Sequence, residues 1–147
     1  MLVDNMKKLL ASSASLYIKA SNFHWNVEGD DFPQYHELFG EFYSDVYDMV
    51  DPTAEYVRAL GAYTPGSLMR FLELTLIKDQ VSVLPPEGML TELLADASTM
   101  INYLNETFDV ATAEKQQGIA NFLAEKMDMF QKYSWKFRSC LKAIPEA

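Results

Sequence analysis

The sequence has one cysteine, Cys140, in 147 residues. A single thiol cannot form an intramolecular disulfide or a zinc–cysteine cluster, so the fold has to be stabilised by a buried core. A lack of disulfides is typical of proteins from a reducing compartment, and we expect the protein in the cytoplasm. No apolar run reaches the length of about 18 residues that a membrane-spanning helix needs, so we expect no membrane partner.

Basic residues are also in short supply. Lysine and arginine number 12 against 21 aspartate and glutamate residues, which gives a formal net charge of −9. A surface of this sign repels nucleic-acid phosphates and argues against a DNA or RNA partner. The same charge attracts cations, although net charge also serves ordinary solubility.

Strand-like alternation of apolar and polar residues is not sustained anywhere in the chain. Apolar residues recur instead at the helical spacings of three and four. The predicted long helices span residues 4–27, 33–60, 88–108 and 112–141. The connection between the second and the third, residues 63–86, carries prolines near both ends and is predicted to hold a short helix at residues 67–74.

This pattern predicts an all-α protein with one domain, residues 1–147, because a chain of this length calls for no second core. Two long helices with a tight link, a long crossover and two more long helices describe a ferritin-like four-helix bundle. A simple up-and-down bundle would need only a short loop in the middle. Inside the second helix, Pro52 cannot donate a hydrogen bond to Asp48, so we expect a kink there.

Histidine is scarce as well, and both copies lie beside the first break between helices. His24 is near the end of the first helix and His36 is in the first turns of the second. Asp51 and Glu55, four residues apart, project from one helix face. Imidazole and carboxylate together suit iron, manganese or zinc. The alternative is structural: the histidines cap or pair locally, and Asp51 with Glu55 forms a solvated face.

Helix geometry constrains any metal site built from these residues. His36 and Asp51 are separated by fifteen positions, which is roughly 22 Å along one helix, and a kink cannot close that gap. The sequence also has no Glu-x-x-His pair, from which di-iron sites inside a single bundle are built. A shared metal therefore requires two chains, with antiparallel second helices related by a two-fold axis near Ser44.

Several motifs together resemble one known family, the DNA-protection-during-starvation (Dps) mini-ferritins of the ferritin-like superfamily. The resemblance covers nearly the whole chain and extends through residues 65–67, residues 109–114 and the aromatic-rich last helix around Trp135. Its most specific motifs are His24-Trp25-Asn26-Val27-Glu28-Gly29, Phe32, His36-Glu37, Asp51-Pro52-Thr53-Ala54-Glu55 and Leu60-Gly61.

This resemblance implies a ferroxidase that stores iron and protects against oxidative damage. Twelve subunits, built from two-fold dimers, would form a hollow shell in which ferrous iron is oxidised, usually by hydrogen peroxide, and ferric mineral collects. His24 and His36 of one subunit would bind iron with Asp51 and Glu55 of its neighbour, as both the catalytic and the metal-binding residues. Iron is then the only cofactor expected, with no organic one, and zinc could occupy the same ligands.

Three further residues acquire possible roles from the resemblance. Trp25, next to the first ligand, could supply or absorb an electron, or could pack in the core. Asp109 and Glu114, placed at the start of the last helix, resemble the acids that line the three-fold iron entry pores of the family. Alternatively, acids at that place would simply stabilise a helix N-terminus.

The sequence departs from the family pattern at Gly40, four residues after His36, where the family often has an aspartate that helps to hold a second iron. Glu41 is the nearest carboxylate, but it is rotated by about 100° around the helix from that direction. The sequence therefore supports the first iron position better than the second.

DNA binding in the family commonly relies on a lysine-rich tail. This chain offers only Lys7 and Lys8, within or beside the first helix, and a short end at residues 142–147. We therefore expect no DNA affinity at physiological salt. The alternative function is a structural or DNA-compacting shell with weak or no ferroxidase activity, and a third possibility is a helical bundle that dimerises without metal.

Overall fold

A computed structural model describes residues 1–142 and contains helices but no strand within that range. The all-α prediction is confirmed, and the end of the chain at residues 143–147 lies outside the described residues. None of the described helices is both long enough and apolar enough to cross a membrane. The helices are α1 (Leu2–Asn26), α2 (Phe32–Asp48), α3 (Val50–Ala59), α4 (Leu68–Leu74), α5 (Pro86–Ala113) and α6 (Gln117–Leu141).

The core lies between two helix pairs, α1 with α2 and α5 with α6. Each helix contributes its apolar stripe, because residues three and four apart share one face. Phe42 of α2 shows how the pairs are joined: its ring meets those of Phe130 and Phe137 of α6 edge-on, with centroids 6.1 and 5.1 Å away. All three rings are fully buried. The predicted four-helix bundle is therefore confirmed.

The predicted second helix is interrupted at Met49, so that α2 and α3 are separate helices. Pro52 has no amide hydrogen, which leaves the carbonyl of Asp48 without its helical donor. Just before this point, the amide of Met49 donates to the carbonyl of Val46, three residues back, at 3.2 Å, which makes a tighter turn than an α-helix. The expected kink is confirmed, and it falls three residues before the proline.

The link between the last two long helices differs from the prediction. We expected it near residues 109–111, but α5 continues to Ala113 because Leu104, Thr107 and Ala111 extend its buried stripe. The turn comes at residues 114–116, where Lys115 adopts a left-handed conformation with φ of 60°. Asp109 and Glu114 thus lie at the end of α5, not at the start of the last helix, and the proposed stabilisation of that helix N-terminus is wrong.

The long crossover between α3 and α5 carries α4, as predicted. It is fastened to the bundle by Lys19 of α1, whose side chain is only 2% exposed. The Nζ atom lies 2.8 Å from Asp96 and 3.2 Å from Glu92, both on α5, and donates to the carbonyl of Lys78 in the crossover at 2.9 Å. Burial raises the pKa of Asp96, and the Lys19 charge opposes that rise.

We expect Lys19→Ala to lower the free energy of unfolding by about 3–5 kcal/mol, because it leaves the buried Asp96 carboxylate without its countercharge. Arg70→Ala is the control: its pair with Glu73 is half exposed on both sides and should contribute less than about 1 kcal/mol. Urea denaturation at one fixed subunit concentration measures both. Equal losses from the two variants would contradict the prediction.

Candidate metal centre

His24 and His36 are joined by a reciprocal pair of hydrogen bonds. His24 lies in the last turn of α1 and His36 in the first turns of α2. Their rings stack with centroids 3.9 Å apart and an angle of 14° between planes. The Nδ1 atom of His24 lies 2.6 Å from the carbonyl oxygen of His36, and Nδ1 of His36 lies 2.7 Å from the carbonyl oxygen of His24. The tight link between α1 and α2 thus brings together two side chains twelve positions apart.

These contacts determine which nitrogen of each imidazole ring carries a hydrogen. A carbonyl oxygen can only accept, so each Nδ1 atom has to carry the hydrogen that it donates. In a neutral imidazole the other nitrogen, Nε2, then keeps a free lone pair. Metal-binding histidines are commonly held by such a hydrogen bond from the nitrogen that does not bind the metal. The pair is therefore prepared for metal binding on the Nε2 side.

Gly40 faces the His24 ring, one helical turn after His36. A Cβ atom at this position would lie 2.8 Å from Cε1 and 3.0 Å from Nδ1 of His24. The imidazole occupies the space into which a side chain would project, and it cannot move without straining its bond to the His36 carbonyl. Any side chain at position 40 therefore requires the ring to shift from this position.

Glu41 lies on a different face of α2. Its carboxylate is 3.9 Å from Nζ of Lys136 in α6 and is half exposed. The charged group beside it is therefore a lysine of α6, and its auxiliary role in metal binding stays a prediction.

Asp51 and Glu55 lie one turn apart on α3 and are exposed to solvent. A side-chain hydrogen bond with Asp51, together with the negative charge of that residue, raises the pKa of Glu55. The two carboxyl groups are thus close neighbours that repel each other when both are ionised. A cation bound between them would relieve that repulsion.

The two halves of the predicted site do not meet within one chain. Among residues 1–142, no three His, Cys, Asp or Glu side chains are grouped so that they could hold a metal ion. This separation agrees with the distance estimated from helix rise. The prediction that the halves meet across a two-fold axis stays a prediction.

Aromatic side chains near the histidines are a feature that the sequence argument missed. The ring of Tyr43 lies 5.1 Å from that of His24, and Tyr17 lies 5.8 Å from Tyr43 and 4.9 Å from Tyr47, between ring centroids. The spacing in the sequence could have indicated this cluster, because Tyr43 and Tyr47 are one helical turn apart and Tyr17 is two turns before His24. Trp25 is 70% exposed in this chain, so its alternative role in the core is wrong here.

The two acids with a possible pore role lie at the opposite end of the bundle. Glu114 accepts a hydrogen bond from the amide of Leu2, the first residue of α1, at 3.3 Å. Leu2 and His24 lie near opposite ends of α1, about 33 Å apart along the helix axis. Asp109 is exposed one turn earlier. Their pore role stays a prediction, and any such pore is remote from the histidines.

Comparison with known proteins gives a consistent set of similarities. The model of the ferritin-like domain family matches residues 3–147. A low temperature-induced protein of Nostoc is 33% identical over 145 residues, which are 97% of this chain and 81% of that protein. DNA protection during starvation protein 2 of Bacillus anthracis is 26% identical, with 95% of each chain covered. The crystal structure of a Dps protein from Bacillus brevis superimposes with a TM-score of 0.93 at 27% identity, over 96% of this chain and 95% of that one.

We expect Gly40→Ala to weaken zinc binding by roughly tenfold, because the added methyl group displaces His24 from its bond to the His36 carbonyl. Gly118→Ala is the matched control, since a Cβ atom there meets nothing within 4 Å. Isothermal titration of the metal-free protein with zinc measures both affinities. Unchanged zinc affinity in Gly40→Ala would show that metal binding does not depend on the present position of the His24 ring.

Proposed function

The chain belongs to the ferritin-like family, in its Dps branch, and we propose that it oxidises ferrous iron with hydrogen peroxide and stores the ferric product. The sites would be shared by two-fold related subunits of a twelve-subunit shell. The observation that carries this proposal is the reciprocal bonding of His24 and His36, which presents two free Nε2 atoms from one chain. Asp51 and Glu55 of the partner subunit would complete the site.

An apolar surface beside the carboxylates supports the pairing of subunits. A cavity of about 340 Å³ lies between α1, the end of α2, the start of α3 and α4, and its lining includes Tyr47 and Leu72. Leu68 and Leu72 of α4 are 84% and 71% exposed. Apolar side chains grouped on an outer surface mark protein interfaces. A neighbouring cavity of about 680 Å³ includes Tyr47 and Asp51 in its lining, so this interface would extend to the carboxylates.

The ligand set suits an oxidising site. Neutral imidazoles and carboxylates bind ferrous and ferric iron, and four protein groups leave coordination positions open for the oxidant. Exposure of Asp51 and Glu55 on the isolated chain leaves them available to a partner. Iron is the substrate as well as the bound ion, and its oxidised form passes into the cavity of the shell.

Charge favours iron storage over the compaction of DNA. Twelve copies of a chain with net charge −9 carry about −108, a field that draws cations to the shell and repels phosphates. Several relatives are named for DNA protection. We propose that protection by this protein comes from removing iron and peroxide, without binding to DNA. Retardation of plasmid in a gel shift at physiological salt would contradict this.

Hybrid shells test whether the site is shared. One subunit carries His24→Ala and His36→Ala, and the other carries Asp51→Ala and Glu55→Ala. Each homogeneous shell should lose ferrous oxidation by peroxide. In a mixed dimer, one site contains all four substituted residues and the other site contains none of them. Random pairing in a coexpressed mixture should therefore restore about a quarter of the wild-type rate, followed by the absorbance of ferric iron.

Two results would contradict the proposal, one for the shared site and one for the shell. If all four residues acted within one chain, the mixture would be as inactive as its parents. Sizing of the same samples should give a particle of about twelve times the 16.7 kDa subunit mass. A dimer in solution would leave no cavity for mineral and would contradict the storage role.

A further inference from the structure

We propose that the stacked rings of His24 and His36 are a closed form of the metal site, and that His36 has to turn out against Phe32 before both imidazoles can bind one ion. Phe32 is then a positioning residue, because it acts on the metal only through His36. This inference rests on the proposed function, since it concerns how iron enters and leaves the same site. It follows from the angle between the two rings and from the order of residues along one face of α2.

The stacked arrangement does not let both imidazoles bind the same ion. An imidazole nitrogen binds a metal along its lone pair, which lies in the plane of the ring. The planes of His24 and His36 differ in direction by only 14° and their centroids are 3.9 Å apart, so the planes do not meet near the Nε2 atoms. An ion midway between the rings, at the usual zinc–nitrogen bond length of about 2 Å, would lie far out of both planes.

Opening the pair like a hinge removes this conflict. If the ring centroids stay 3.9 Å apart, the planes meet at an ion about 2 Å beyond the Nε2 atoms when the angle between them reaches roughly 60°. The bonds from the two Nδ1 atoms to the carbonyl oxygens can remain, because the turn moves mainly the edge of the ring that carries Nε2. The helix register is thus kept while the two lone pairs converge.

The order of residues on α2 indicates what holds the pair closed. Phe32, His36 and Gly40 follow one another at intervals of four residues, so they lie on one face of the helix, one turn apart. The His24 ring lies beside Gly40, on the side of His36 toward the end of α2. The Phe32 ring lies on the other side, with its centroid 5.0 Å from that of His36 and an angle of 31° between planes. The His36 ring is therefore held between two other rings.

His24 has no room to give way. Its Cε1 and Nδ1 atoms are 2.8 and 3.0 Å from the place that a Cβ atom would occupy at Gly40, so the backbone of α2 lies directly behind them. On another side the ring of Tyr43 is 5.1 Å away, centroid to centroid. Phe32, in contrast, is 40% exposed and can move into solvent. The turn is therefore made by His36, and it displaces the Phe32 ring.

The closed form lowers the affinity of the site for metal. Only the open fraction of the pair offers two ligands, and the apparent affinity falls in proportion to that fraction. An oxidation site has to release its ferric product before the next ferrous ion can enter. A pair that closes again as the ion leaves favours this release, and the contact of Phe32 with His36 sets how strongly it closes.

X-ray absorption spectroscopy tests the opening without any oxidation. Metal-free shells are loaded with one zinc ion per chain, and the multiple-scattering signal of imidazole counts the histidines bound to each ion. We expect two imidazoles per zinc ion, and a crystal structure of the same sample should show an angle between the ring planes well above the present 14°. One imidazole per zinc ion, or two from rings that remain stacked, would overturn the proposal.

Phe32→Ala tests the positioning role by isothermal titration with zinc. The substitution removes a ring contact that the turn of His36 has to disrupt, so zinc should bind roughly three- to tenfold more tightly. A residue that merely supports the fold would, when removed, change the affinity in the opposite direction. Phe32→Tyr keeps the ring and should bind zinc like the wild type.

Tyr63→Ala is the matched control, because it removes an 84% exposed ring that packs on Arg58 and not on the histidines. Its zinc affinity should equal that of the wild type. Unchanged or weaker zinc binding by folded Phe32→Ala shells would overturn the role of Phe32. If Phe32→Ala does not assemble, Phe32→Leu, which keeps the apolar volume without the flat ring, is measured in its place with the same expectation.

The failure of this inference is distinguishable from the failure of the proposed function. Wild-type shells that do not oxidise ferrous iron with peroxide would contradict the proposed function. Zinc held by a single imidazole, in shells that do oxidise ferrous iron, would overturn only the opening of the histidine pair.

Discussion

The pair of hydrogen bonds between His24 and His36 is the contact on which the site depends. Each ring donates to the backbone of the other residue, so the end of α1 and the start of α2 are held in one register. The same bonds place a hydrogen on both Nδ1 atoms and leave both Nε2 atoms free. The same hydrogen bonds thus hold the two helices together and prepare both histidines as metal ligands.

Three other features position the elements around the histidine pair. At Gly40 the His24 ring fills the space that a side chain would occupy. Farther along, the break at Met49 separates α2 from α3, so the helix that carries Asp51 and Glu55 can take its own direction. On the other side of α1, Lys19 holds the crossover, and with it the apolar surface of α4, against the bundle. The site and the proposed interface therefore share one framework.

Most of the fold was predictable because the spacing of apolar residues reports directly on which face of a helix is buried. The kink was predictable from Pro52 alone, since proline lacks a donor whatever surrounds it. The end of α5 was not, because residues 109–113 suit a helix interior as well as a link, and only packing against α6 decides between them. Sequence also identified His24, His36, Asp51 and Glu55 as candidates and, by helix rise, their separation within one chain.

The sequence by itself determined the helical class, the scarcity of possible ligands and the distance between the two halves of the site. These properties depend on residue type and on the rise of a helix, which are local. The tertiary structure decided which nitrogen of each histidine is free, how closely the His24 ring approaches Gly40, and that Tyr43 lies beside His24. Each of these depends on atoms that are distant in sequence and that meet only when α1 and α2 pack together.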